Sequence, residues 1–309
     1  MRIGLTGGGS TLESIVAQAR RAEEQGFTSL WYASNVAADP LTAMAIAGRE
    51  TTAIELGTAV LQTYPCHPLL QAHRAIAAAE AMGRPGFTLG MGPSHAAVIR
   101  DVYGLSYDHP GRNTEEYLTI ITAALRGEQV DFAGTDWSAH TRGPSAQATH
   151  PVQVLLAALS PRMLRIAGAL ADGTVLWMAS AQAIETHIVP RITAAAAEAG
   201  RPGPRIVAGL PVAVHDDESQ ARAAIAATAG MYAGMPNYQR IIHAGGGTEP
   251  ADVAIVGDEA AVRRQLLSLL DAGATDLWVQ PVAVGVDRSD RAASRQRTIA
   301  LLQELLTEP

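Results

Sequence analysis

The stretch Tyr64-Pro65-Cys66-His67-Pro68 sets the only cysteine of the chain beside a histidine. Such a pair could supply a thiolate nucleophile with its base, or two metal ligands. The spacing suits neither. A catalytic Cys–His pair is normally distant in sequence and close in space, because adjacent side chains point different ways. A metal site needs further convergent ligands, and the histidines at 67, 73, 95, 109, 140, 150, 187, 215 and 243 show no His-Glu-x-x-His or Cys-x-x-Cys spacing. Cys66 therefore reads as a small packing group. His67 and His73 read as residues that cap or face a helix, and no metal-binding residues are expected.

Three other stretches offer better chemistry. In FTLGMGPSH, residues 87–95, a strand runs into Gly90 and Gly92, which let a backbone approach a flat or phosphorylated ligand. Ser94 and His95 follow. This is no dinucleotide fingerprint, because His95 stands where the third glycine belongs. In LLAALSPRML, residues 155–164, a strand ends at Ser160-Pro161, an N-cap followed by proline at the first helical position. The Arg162 and Met163 amides then lie free at a helix N-terminus, which is a phosphate site or else an ordinary capped helix. Ser34 and Asn35, just past a strand in SLWYASN, either reach a ligand head group or form a polar loop.

These residues need a scaffold, and the bulk numbers bound it. The length of 309 residues suits one α/β barrel. All 23 basic residues are arginine, which excludes a lysine Schiff base or a Walker lysine. A net charge of −7 argues against a nucleic-acid partner. No apolar run approaches the roughly 18 residues of a membrane helix. The N-terminus lacks a secretory signal, and one cysteine forms no internal disulfide, so the cytoplasm is the expected location.

Strand-like and helix-like runs alternate. Strands are expected at 2–5, 29–32, 54–61, 87–90, 152–158, 173–177, 205–214 and 276–281. Helices are expected at 11–25, 40–52, 69–82, 114–126, 161–170, 181–199 with a bend near Pro190, 218–232, 258–272 and 290–306. Glu115 and Glu116 would sit in the first turn of their helix, where the macrodipole favours them. The alternation predicts a (β/α)8 TIM barrel forming a single domain over residues 1–309. Two segments break the repeat, 127–150 and 233–257. Both read as insertions at the active-site face, the first with one short strand at 130–132.

The phrases AEEQGFTSLW (22–31), IELGTAVLQTYPCHP (54–68), FTLGMGPSH (87–95) and LLAALSPRMLRIAGALADGTVLW (155–177), with IVGDEAAVRRQLLSLLDAGATDLWV (255–279) more faintly, occur in an order that resembles the bacterial luciferase-like monooxygenase family. The likeness is to its branch dependent on the deazaflavin coenzyme F420. That resemblance implies a barrel holding the cofactor ring at its C-terminal mouth. It implies a non-proline cis peptide on the third strand, here Ala59–Val60 after Thr58, pressing on one ring face. Gln62 would reach the ring edge, and Gly90, Gly92 and Ser94 would line the ring pocket. Leu159, Ser160 and Met163 would hold the cofactor phosphate.

His95 falls where one sugar-oxidising relative carries a glutamate proton donor, and an imidazole could do that work near neutral pH. Asn35, beside Ser34, replaces the family's active-site histidine and can donate a hydrogen bond but no proton. Pro93 stands where the luciferases place a phosphate-binding arginine, which tilts the cofactor from FMN toward F420. The implied function is F420-dependent hydride transfer to or from a small-molecule substrate. The alternatives are a monooxygenase using reduced FMN from a partner reductase, and a flavin- or F420-binding protein without turnover. A homodimer and a reductase that supplies reduced cofactor complete the expectation.

Overall fold

The computed structural model describes residues 1–308. Eight strands pair in parallel in sequence order: β1 (Ile3–Gly7), β2 (Ser29–Tyr32), β3 (Glu55–Thr58), β4 (Phe87–Gly92), β5 (Gln153–Leu156), β6 (Gly173–Trp177), β7 (Arg205–Val214) and β8 (Asp276–Pro281). β8 returns to pair with β1, Ile3 opposite Leu277, so the sheet closes into a (β/α)8 barrel. The strands are near-continuous apolar runs because both faces are covered; along β7 every residue after Arg205 is buried.

Helices cover the outside: α1 (Leu12–Glu24), α2 (Pro40–Arg49), α3 (Pro68–Met82), α4 (Pro110–Leu125), α5 (Pro161–Leu170), α6 (Val189–Glu198), α7 (Glu218–Ala229), α8 (Pro236–Ala244), α9 (Glu259–Asp271) and α10 (Arg288–Thr307). Local chemistry sets their starts. Thr11 and Ser14 form a reciprocal cap on α1, and Asp39 and Ser160 precede prolines at the first positions of α2 and α5. His67 caps α3, its Nδ1 accepting the Leu69 amide at 3.2 Å. Among the described residues no helix is long and apolar enough to cross a membrane.

Inside the barrel, Trp31, Leu155, Val175, Val207 and Trp278 form one cluster. Gly209 pairs directly with Trp278, and a Cβ there would stand 2.2 Å from the indole, so only glycine leaves room for the ring. Charge closes the N-terminal end. Arg205, at the start of β7, donates to Glu55 at 2.7 and 2.9 Å, to Asp276 at 2.6 and 3.1 Å, and to Gln153 at 2.8 Å. Arg2 reaches the same two carboxylates.

Several elements depart from the sequence expectation. The third strand, expected unbroken over 54–61, is two pieces, β3 and Leu61–Gln62; the Ala59–Val60 bond between them is cis, as the family resemblance implies. α4 begins at Pro110, so Glu115 and Glu116 lie beyond the first turn. The strand expected at 130–132 is one arm of a hairpin, Asp131–Ala133 against Ser138–His140. The segment 233–257 holds α8 and the strand Ile255–Gly257, which pairs in parallel with the end of β7 at Val212–Val214. The helix expected over 181–199 widens into a π turn at Ile184–Ile188 before Pro190 rather than merely bending.

Candidate active site

A cavity of about 940 Å³ opens at the C-terminal ends of the strands, opposite the Arg205 network. Ala59 and Val60 line it just past β3, Gly92 to His95 at the end of β4 and beyond it, and Leu159, Ser160, Arg162 and Met163 after β5. Thr58 and Gly90 lie behind this surface. The Thr58 hydroxyl donates to the Gly90 carbonyl at 2.7 Å and accepts the Gly90 amide at 2.9 Å. A Cβ on Gly90 would fall 1.9 Å from the Thr58 carbonyl oxygen. That glycine allows two strands to meet. Gly92 faces the cavity, and a Cβ there would stand 3.1 Å from both the Ala157 and Val60 side chains.

Beyond Gly92 the chain turns sharply. Ser94 has a φ of +63°, an uncommon conformation for a residue with a side chain. Two hydrogen bonds fix it: Gln62 Nε2 donates to Ser94 Oγ at 3.2 Å, and the Tyr107 hydroxyl donates to the Ser94 carbonyl at 2.8 Å. Gln62 therefore holds this turn and is not itself among the cavity's lining residues. His95, next along, is half-buried on the cavity wall with its ring centroid 5.7 Å from that of Tyr238. Burial pushes its pKa below the ordinary histidine value, because the imidazolium loses solvation there.

After β5, Ser160 caps α5, its Oγ accepting the Met163 amide at 3.3 Å. The Met163 amide is thus engaged rather than free as the sequence suggests. The Arg162 amide remains available in the first turn, where no helical carbonyl reaches it, and the Arg162 side chain lines the cavity. His187, carried by the π turn, has Nε2 2.8 Å from the Leu159 carbonyl, so Nε2 bears the hydrogen donated to it. That bond ties the turn to the helix behind it.

A model of the luciferase-like monooxygenase family matches residues 2–291. The chain belongs to this family. It is 28% identical to the 5,10-methylenetetrahydromethanopterin reductase of Methanolobus tindarius over 251 residues, 80% of this chain and 75% of that protein. A putative coenzyme F420-dependent oxidoreductase of Mycobacterium tuberculosis is 27% identical over 165 residues, 49% of this chain and 47% of that one. Among solved structures, the coenzyme F420 dependent tetrahydromethanopterin reductase from Methanopyrus kandleri superposes with a TM-score of 0.77, covering 98% of this chain and 97% of that chain at 21% identity.

Membership of a luciferase-like enzyme family makes the C-terminal mouth the place to look for chemistry. Ser34 and Asn35 lie there in a turn after β2; Asn35 is exposed, and Ala33 rather than either of them lines the cavity. Cys66 stands apart, its Sγ 4.0 Å from Arg74 Nη1 on α3. Sequence reasoning passed over Tyr107, His187, Trp177, Tyr232 and Tyr238. Only Trp177 carried a signal, as a tryptophan at the C-terminal end of a barrel strand.

Proposed function

We propose that this protein is an F420-dependent oxidoreductase that transfers hydride between the deazaflavin and a small organic substrate. The observation that carries the reading is the convergence of three distant segments, Ala59–Val60, Gly92–His95 and Leu159–Met163, on one cavity. The names of the Methanopyrus and Mycobacterium relatives support the choice of F420.

The residues present fit that cofactor. Ala59, Val60 and Gly92 offer a flat apolar slot that a Cβ at Gly92 would fill. The Ser160 hydroxyl, the Arg162 amide and the Arg162 guanidinium suit a phosphate at the start of α5. Bound there, a deazaflavin supplies a two-electron hydride donor or acceptor at its ring carbon. The chain's part is to hold ring and substrate in register, to exclude water, and to place the His95 imidazole where a proton is given or taken. Asn35, at the mouth, would add a hydrogen-bond donor only once a ligand draws the turn inward.

The chain works as one domain in this reading, as a homodimer supplied with reduced cofactor by a separate reductase. Exposed Ile46 on α2 and Leu70 on α3, neighbouring helices, support the pairing. Titrating the purified protein with F420 and with FMN, following ring fluorescence, tests the cofactor. Saturable F420 binding tighter than FMN is expected. Submicromolar FMN binding with no F420 binding would transfer the site to the flavin monooxygenases. F420 binding without any substrate-dependent redox change would leave a binding protein.

A further inference from the structure

The segments after β3, β4 and β5 carry the residues assigned to the cofactor. Continuing around the barrel, β6 to β8 bring a different chemistry to the same cavity. Trp177 ends β6, Trp278 lies in β8, and Tyr232 and Tyr238 come from the segment between β7 and β8. Their rings are contiguous. Centroids lie 5.0 Å apart for Trp278 and Trp177, 6.1 Å for Trp177 and Tyr232, and 4.8 Å for Tyr232 and Tyr238. Aromatic residues are only 5% of the chain, so four in one arc is a local concentration. Trp177, Tyr232 and Tyr238 are not fully buried, so they present surface to the cavity instead of filling the core.

This arc is also poor in charge. Among the described residues, the one charged side chain it adds to the cavity lining is Arg240, exposed on α8. Asn237 and Gln280 are its uncharged polar side chains besides the tyrosine hydroxyls, and Thr6 beside it, from β1, is already engaged by the Trp278 indole at 3.0 Å. On this arc a carboxylate or phosphate ester would find one cation at the rim and a cationic substrate no anion; the other charges of the lining, Asp108, paired with Arg100, and Arg162, belong to the segments after β4 and β5. A compact aliphatic molecule would leave most of the aromatic surface bare. The rings meet at 38°, 64° and 69° along the arc, so a flat conjugated molecule would stack on one of them, take the edges of its neighbours, and turn its other face toward the slot at Ala59, Val60 and Gly92, the stacked and edge-to-face contacts that aromatic rings favour.

We propose that the Trp278–Trp177–Tyr232–Tyr238 arc is the substrate wall and selects flat, uncharged, conjugated molecules such as bicyclic enones and lactones. The proposal rests on the deazaflavin reading for which side of the cavity the substrate takes.

Isothermal titration calorimetry on the full chain without added cofactor tests it, using coumarin, cyclohexanone and glucose 6-phosphate as probes. Coumarin is expected to bind at least about tenfold more tightly than the other two, as one stacked aromatic contact allows. Tyr238→Ala should weaken coumarin about tenfold while Tyr238→Phe stays within about twofold. F420 titrated into the same proteins should bind all of them alike. If Tyr238→Ala fails to fold, Tyr238→Leu, which keeps bulk but no ring, carries the comparison.

Equal binding of the three probes, or coumarin indifferent to the loss of the Tyr238 ring, would overturn the proposal. So would a variant that loses F420 and keeps coumarin, since the arc would then be the cofactor's wall. Failure of F420 to bind wild type, with the coumarin pattern intact, would remove the cofactor reading and leave the wall standing.

Discussion

At the scale of single residues the site turns on Ser94 and His95. Ser94 holds a left-handed backbone because Gln62 and Tyr107 bond it from two sides, and the chain then delivers His95 to the cavity wall. His95 was legible in the sequence as a histidine just past a barrel strand. Tyr107 was not, because its bond to Ser94 spans 13 positions through a loop with no periodicity. Burial lowers the His95 pKa below the ordinary histidine value, so at neutral pH its imidazolium is less populated than that of a free histidine. If His95 donates the proton in substrate reduction, the rate should fall as pH rises through that depressed value. In the oxidative direction the neutral imidazole accepts, and the rate should rise to a plateau above it. His95→Gln should lower turnover about a hundredfold and flatten either profile, with F420 affinity within about twofold of wild type. Steady-state kinetics over pH 5 to 9 reads this out, and unchanged turnover would remove the role.

Among the elements, those that bury two faces were the readable ones. Each barrel strand is an apolar run bounded by loop residues, and all eight appear where the alternation places them, within a few positions. The insertions were opaque because their order comes from tertiary contacts. The hairpin Asp131–Ala133 with Ser138–His140 is tied down by Glu116, which lies on α4 and is 8% exposed. Its carboxylate accepts the amides of Thr135, Asp136 and Trp137 at 2.9, 2.7 and 2.8 Å. The sequence suggested a helix-dipole role for Glu116; the earlier start of α4 gives it this one. Glu116→Gln sets an amide N–H against a backbone N–H and should cost about 1–3 kcal/mol. The loss should be local. Hydrogen exchange at residues 135–137 should quicken while β1–β8 keep their protection. Uniform loss of protection across the barrel would show that Glu116 supports the whole fold instead.

For the whole molecule, closing the barrel puts chemistry at one end and charge at the other. The order of strands was legible; what seals the N-terminal end was not, since Arg205 meets Glu55 across 150 positions. In hindsight the trace was there: Glu55, Arg205 and Asp276 each open an apolar strand. Burial pushes the Asp276 carboxyl up, but hydrogen bonds and charge from Arg205, with Arg2 and Thr275, outweigh it and hold the pKa below the usual carboxylate range. The unfolded chain takes up that proton near pH ~3.9. The stabilisation from Asp276 is therefore complete above that pH and is lost as pH falls through the lower folded value. Arg205→Met strands two buried carboxylates with Arg2 alone and should destabilise the protein by about 3–5 kcal/mol at pH 7. Burial then dominates at Asp276, its folded pKa rises above the unfolded one, and the variant should gain stability as pH drops from 7 toward 4.5. Adding Asp276→Asn to Arg205→Met should recover part of the loss. Urea unfolding of the three proteins at a series of pH values measures this, with F420 affinity at the far end as the control for local damage. An Arg205→Met protein with wild-type stability, or with the wild-type acid slope, would show that the network does not hold the barrel shut.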